Sequence, residues 1–317
     1  DRIRRLAEAA LERAGERQNR RPKEMSDRLE NQYTLLSEAT RKLIELINLP
    51  RWSAELPNRC PPVLWFGNAA STKPKILTVG ANPSRREFIS EARAFAQEKV
   101  RIVGDHSSLR YLEAPTHRFR LLQTNESLND VVANEALQGE IIASFNAYFE
   151  RNPYTKWFGH NRDSSYNVEG FLRGLGASFY DDNSTPFQAI HIDLFPFATL
   201  SDFNEIKDMA HTDLFADGWG PGFVGRLIEW LSPEAIVLFG GGNKRVFEKD
   251  FDPSLCAASV QRFHCGKYCV SRLRNFDVPC VALTTNLGNP KGFNAKELRE
   301  FGCCVKQALM PLIKSTM

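Results

Sequence analysis

The chain has 317 residues, 42% of them hydrophobic and 25% charged, with a formal net charge of +3. That length accommodates one large α/β domain with an appendage, and the composition is that of a globular protein, not a fibrous or disordered one. No apolar run reaches membrane-spanning length, no secretory leader is visible, and seven scattered cysteines do not suit a disulfide framework. A cytoplasmic protein with no membrane partner is expected.

Residues 1–23 carry eight basic side chains against four acidic ones, and Pro22 closes that segment. Ser26 is a suitable N-cap for a second helix, with Leu29, Tyr33, Leu36, Leu43 and Ile47 on one stripe and Pro50 beyond its end. Residues 1–55 are therefore read as a basic helical extension and 56–317 as the main domain. After an irregular, proline-rich stretch comes Ile76-Leu77-Thr78-Val79, apolar enough for a strand buried on both faces. Gly80 and Pro83 then force a turn that lifts Ala81 and Asn82 to the carboxyl edge of the sheet. Residues 85–99 read as a helix. The polar stretch over 100–130 is too long for an ordinary connection and is treated as a functional insertion.

Leu137, Ile141, Phe145 and Phe149 predict a helix ended by Asn152-Pro153. A second buried strand covers 189–194. Pro221 opens a helix that turns Phe223, Val224, Leu227, Ile228 and Leu231 inward. The third strand, 235–239, runs into Gly240-Gly241-Gly242, and residues 256–275 read as an insertion forming an edge hairpin. The fourth strand spans 278–283. A closing helix starts at Ala295, where Asn294 and Glu297 have capping-box spacing. Four buried strands alternating with helices predict an α/β fold, a three-layer α/β/α domain on a four-stranded, mostly parallel sheet.

Each predicted strand delivers polar residues at its carboxyl end: Asn82, Asp193, the 240–243 glycine run and the 284–294 loop. Open α/β sheets bind their ligands along that edge. Gly80-Ala81-Asn82-Pro83-Ser84 resembles the first motif of the uracil-DNA glycosylase superfamily, in its Gly-x-Asn-Pro form. Ile190-His191-Ile192-Asp193-Leu194 is similar to the strand whose terminal polar residue reads the flipped base. Asn289-Pro290-Lys291-Gly292-Phe293-Asn294 resembles the second motif, with Asn289 where many members have His and Lys291 where many have Ser. The resemblance spans residues 63–313, although these short segments carry it. It implies a monofunctional DNA glycosylase without cofactor or metal.

Cleavage of an N-glycosidic bond passes through an oxocarbenium-like sugar, so water placement and charge stabilisation matter more than a strong nucleophile. On the resemblance, Asn82 holds the attacking water and Asn289 supports the leaving base. Ala81, Phe88 and Asp193 are expected at the base, with Phe88 as the stacking ring. Ser84, Arg85, Arg86, Gly241, Lys291 and Phe293 are expected on DNA. An ionised Asp193 accepts from the exocyclic amino group of cytosine and repels O4 of uracil. The expected substrate is therefore a modified cytosine, such as the glucosylated hydroxymethylcytosine of phage DNA, with a role in antiviral defence. His191, one pleat deeper on the same strand face, is read as a satisfied core histidine.

Three other functions compete. One is uracil-excising repair. Another is a DNA amino-methyltransferase, since Asn152-Pro153-Tyr154 partly matches an Asn-Pro-Pro-Tyr motif. The third is a non-catalytic DNA-binding module. His264, Cys265, Cys269 and Cys256 lack the Cys-x-x-Cys spacing of a zinc site.

Overall fold

A computed structural model describes residues 31–90, 109–162, 165–180, 183–252, 255, 259–264, 266–285, 287, 290 and 292–314. Its centre is β1 (Lys75–Gly80), in which Ile76, Leu77 and Val79 are fully enclosed. On one side β1 pairs in parallel with β3 (Phe187–Asp193), placing Gly80 level with Asp193. On the other it pairs in parallel with β4 (Ala235–Phe239), which in turn pairs with β7 (Val278–Leu283). These are the four predicted strands, and their near-continuous apolar runs are what burial on both faces requires.

The sheet is larger than the predicted four strands. It has seven, in the order β2-β3-β1-β4-β7-β6-β5. The two-residue β2 (Ala177–Ser178) extends it beyond β3 and is too short to leave a periodic signal. The predicted hairpin, β5 (Val260–Phe263) and β6 (Gly266–Leu273), does form, but β6 pairs antiparallel with β7 and so becomes part of the sheet. Helices flank the sheet. The helices Asn167–Leu175 and Ala295–Lys314 touch backbone to backbone, since a Cβ on Gly174 would fall 1.9 Å from the Arg299 carbonyl and one on Gly302 would fall 2.0 Å from that of Phe171. The closing helix is capped as expected: Asn294 Oδ1 accepts from Glu297 N at 2.9 Å, and Glu297 Oε2 accepts from Asn294 N at 2.8 Å.

The helix over 31–47 turns Leu35, Leu36, Ala39, Leu43 and Leu46 into the same core as the sheet. Gln138 donates to Ser37 Oγ, and Lys42 pairs with Asp217. This part of the expected extension is thus integral to the domain, while residues 1–30 lie outside the described residues. The predicted helix over 85–99 does not form where it is described. A 3₁₀ turn, Arg85–Glu87, gives way to extended chain at Ile89, which bridges to Tyr111. Phe88 O accepts from Leu112 N at 2.7 Å, and Ser90 N donates to Arg110 O at 2.9 Å, so cross-chain bonds replace helical ones. Among the described residues no helix is long and apolar enough to cross a membrane.

Candidate active site

The loop after β1 is fixed at both ends. Gly80 O accepts from Leu194 N and Ala81 O from Phe195 N, tying the loop to the chain leaving β3, and Pro83 is buried. Within it, Asn82 Nδ2 donates to Thr199 Oγ1 at 3.0 Å and to Pro83 O at 3.3 Å. Thr199 commits its own proton to Ser201 O at 2.8 Å and must therefore accept from Asn82. That chain fixes the carboxamide: both its protons are used, and Oδ1 has no protein partner among the described residues.

Asn82 lines a cavity of about 200 Å³ with Ala81, Ser84, Glu87 and Asp193, and Phe66, Tyr154, Trp157, Phe158 and His191 form its walls. Pockets for drug-sized ligands run to about 300–1,000 Å³. This one suits a single small aromatic ring. Its floor is a hydrogen-bonded row on the paired strands. His191 lies between Thr78 Oγ1, 2.9 Å from Nδ1, and Asp193 Oδ1, 3.3 Å from Nε2. Thr78 also reaches Ile190 O at 3.1 Å. Whichever of these acceptors takes the Thr78 proton, a carboxylate at 193 is acceptor-only, so Nε2 is the donor. Asp193 Oδ2 remains without a protein partner among the described residues.

Gly80 is required by this packing. A Cβ there would sit 2.3 Å from Asp193 Oδ1 and 2.8 Å from His191 Nε2. Gly80→Ala is expected to displace the pair, costing about 1–3 kcal/mol as overpacked sites do and lowering the denaturant midpoint. An unchanged midpoint would mean that the rim has slack around Asp193.

The second carboxyl in the cavity, Glu87, was not singled out by the sequence. It is only 3% exposed. Tyr148 donates to its Oε2 at 2.7 Å, and Tyr148 in turn accepts from Tyr154 N at 3.0 Å. Burial pushes the Glu87 carboxyl up to about 7; the Arg118 charge and the Tyr148 hydrogen bond oppose that rise, and Asp193 adds to it. Arg118 Nε stands 3.7 Å from Oε2 but donates to Asn152 O at 2.8 Å, and its NH1 donates to the Arg86 carbonyl, so it is a nearby charge and not a direct partner.

No family model and no curated protein matches the chain. The site therefore rests on its own geometry, which sorts the predicted residues into three groups. Ala81, Asn82, Ser84 and Asp193 come together at one cavity, and His191 is hydrogen-bonded as expected but also forms part of the wall. Phe88 is a correction: it is enclosed in the core and stacked on Phe119 at 5.5 Å, so it cannot stack a base. The available rings are Phe66, Tyr154, Trp157 and Phe158. Phe293 is also corrected as a DNA contact, because it is buried against Phe301 in a near-parallel stack at 5.6 Å. Arg85 is turned to the Leu200 carbonyl and lies 3.9 Å from Asp202, which removes it from the expected DNA face.

Arg86 donates to Tyr154 Oη at 2.7 Å, beside the cavity. Gly241 lies in the first turn of the helix Gly240–Val246 at the end of β4, with open space around its Cα, but it does not line the cavity. Asn289 and Lys291, with Cys256 and Cys265, lie outside the described residues. Of the two insertions, the loop over 109–127 brings Arg118 up behind Glu87. The hairpin does not reach the cavity: β6 and β5 are three and four strands from β1, about 14 and 19 Å at a spacing of about 4.8 Å. Asn152 does not face the cavity as a methyltransferase asparagine would; its carboxamide donates to Thr116 O.

Proposed function

We propose that the protein is a monofunctional DNA glycosylase that hydrolyses the N-glycosidic bond of a flipped pyrimidine, a modified cytosine, and leaves an abasic site. One observation carries this reading: Asn82 lines a ring-sized cavity with Asp193, and with both its amide protons spent its Oδ1 is the group left to accept. A neutral carboxamide oxygen cannot take a proton at ordinary pH, but it can accept a hydrogen bond from water and hold it. That suffices for a reaction whose transition state is an oxocarbenium-like sugar. The bond between C1′ and the ring nitrogen breaks with its electron pair leaving on the base. The held water then adds its oxygen to C1′, and a proton from that water balances the base that has left. Aromatic walls from Phe66, Trp157 and Phe158 supply faces for an extruded base. Asp193 Oδ2 offers an acceptor that suits the exocyclic amino group of cytosine.

The test is incubation of the protein with genomic DNA bearing different modified bases, followed by mass spectrometry of the liberated bases and alkaline cleavage of the DNA. Release of a modified cytosine with matching alkali-labile sites is expected. Intact DNA from every source would overturn the glycosylase reading.

A further inference from the structure

Two carboxyl groups share this cavity, and their surroundings differ in a way that fixes what each can offer a ligand. Asp193 has Oδ1 within 3.3 Å of His191 Nε2, which leaves Oδ2 as its acceptor without a protein partner among the described residues. Glu87 sits among groups that leave it nearly enclosed, at 3% exposure against 4% for Asp193. Its Oε2 is occupied by the Tyr148 hydroxyl. Its Oε1 has no protein partner among the described residues and is not sealed from solvent, and Glu87 lines the cavity. A proton bound by Glu87 therefore has one oxygen to occupy, and that oxygen is the one left for a ligand.

We infer that the two carboxyls read the base together: Glu87 donates from Oε1 to a ring-nitrogen acceptor, and Asp193 accepts from the exocyclic amino group next to it. This inference rests on the glycosylase reading and deepens it by naming the edge that is recognised. An acceptor beside an amino donor is the edge of a cytosine-type base, at N3 and N4. Uracil reverses both positions, with a donor at N3 and an acceptor at O4, and would oppose both carboxyls. Adenine presents the same pair of groups on a larger ring system, which the cavity of about 200 Å³ disfavours. Two ionised carboxylates would find no partner at N3, so the pair works with one proton, held on Glu87. The groups that set this balance are Arg118 from the 109–127 loop, Tyr148 from the 3₁₀ turn Tyr148–Glu150 and Asp193 from β3; His191, also from β3, lines the same cavity.

The experiment measures binding without turnover. Duplexes carry one 2′-fluoro-arabino nucleoside, whose fluorine slows formation of the cationic sugar, with 5-hydroxymethylcytosine, uracil or adenine as its base. Fluorescence anisotropy is read from pH 6 to pH 8 against an unmodified duplex. A carboxyl that titrates at about 7 is about nine-tenths protonated at pH 6 and about one-tenth at pH 8. Preferential affinity for the cytosine-type duplex should therefore fall about tenfold over that range. Glu87→Gln keeps an acceptor for Tyr148 and a donor for the ligand without titrating, so its affinity should be flat with pH. Glu87→Leu, checked for folding by its melting curve, should lose the preference. The same pH slope in Glu87→Gln, or tighter binding of the uracil or adenine duplex by the unaltered protein, would overturn the inference. Failure of the underlying reading is separate: it would appear as no cleavage of the matching 2′-deoxy duplexes.

Discussion

Asn82→Ala is expected to slow base release by about 10²-fold or more while DNA binding persists. The residue contributes one oriented oxygen to the reaction, and removing it leaves the attacking water without a holder, as removing one preorganised donor does in other hydrolases. Folding should be affected modestly, because the lost bonds to Thr199 and Pro83 are single neutral hydrogen bonds of about 0.5–1.5 kcal/mol each. Single-turnover release from a cleavable duplex, with a melting curve on the same preparation, separates the two effects. Thr199→Val provides a finer test. It leaves Asn82 in place but removes the acceptor that fixes its amide, so the side chain is free to flip. A loss of about tenfold is expected, matching about 1.4 kcal/mol of orientation. If Asn82→Ala released base within about threefold of the unaltered protein, water steering by this residue would be excluded.

The central architecture was legible because its signal is local. β1, β3, β4 and β7 are apolar runs buried on both faces, and each ends at a glycine, proline or polar residue where the chain turns. The Asn294–Glu297 cap and the inward stripe of the Trp219–Leu231 helix were legible for the same reason. What escaped depends on contacts between distant segments. β2 has two residues and exists only through pairing with β3. Phe88 was misread and Glu87 was passed over. Both lie in the stretch read as a helix over 85–99. Ser84 accepts from Arg86 N, but Ile89 leaves the turn to pair with Tyr111. Phe88 therefore enters the core against Phe119, and Glu87 meets Tyr148 from sixty-one residues away. An acid followed directly by the apolar pair Phe88-Ile89 was the available sign, since carboxyl groups are rarely enclosed without a purpose or a partner. The walls from Trp157 and Phe158 likewise come from a short turn that is recognisable only once β3 is beside it.

Asp193→Asn is expected to shift base preference strongly toward uracil. In the unaltered protein His191 Nε2 donates to Asp193 Oδ1 at 3.3 Å, the other carboxylate oxygen has no protein partner among the described residues, and Asp193 lines the cavity. An amide at this position would keep its oxygen toward His191, because turning its NH₂ there would set two donors against each other. Its NH₂ would then face the base and suit O4 of uracil in place of the amino group of cytosine. Each correct pairing discriminates by about 1–3 kcal/mol, and the exchange reverses its sign, so the ratio of cytosine-type to uracil release should swing by about 10²-fold or more. Paired oligonucleotides, one carrying 5-hydroxymethylcytosine and one uracil, read that ratio directly. Gly80 should remain unaltered in this comparison, because its missing Cβ is what lets position 193 sit against β1 at all. An unchanged ratio would remove Asp193 from base recognition and leave it as the group that holds His191 in place. A loss of both activities with a lowered melting temperature would assign it to the packing of the rim.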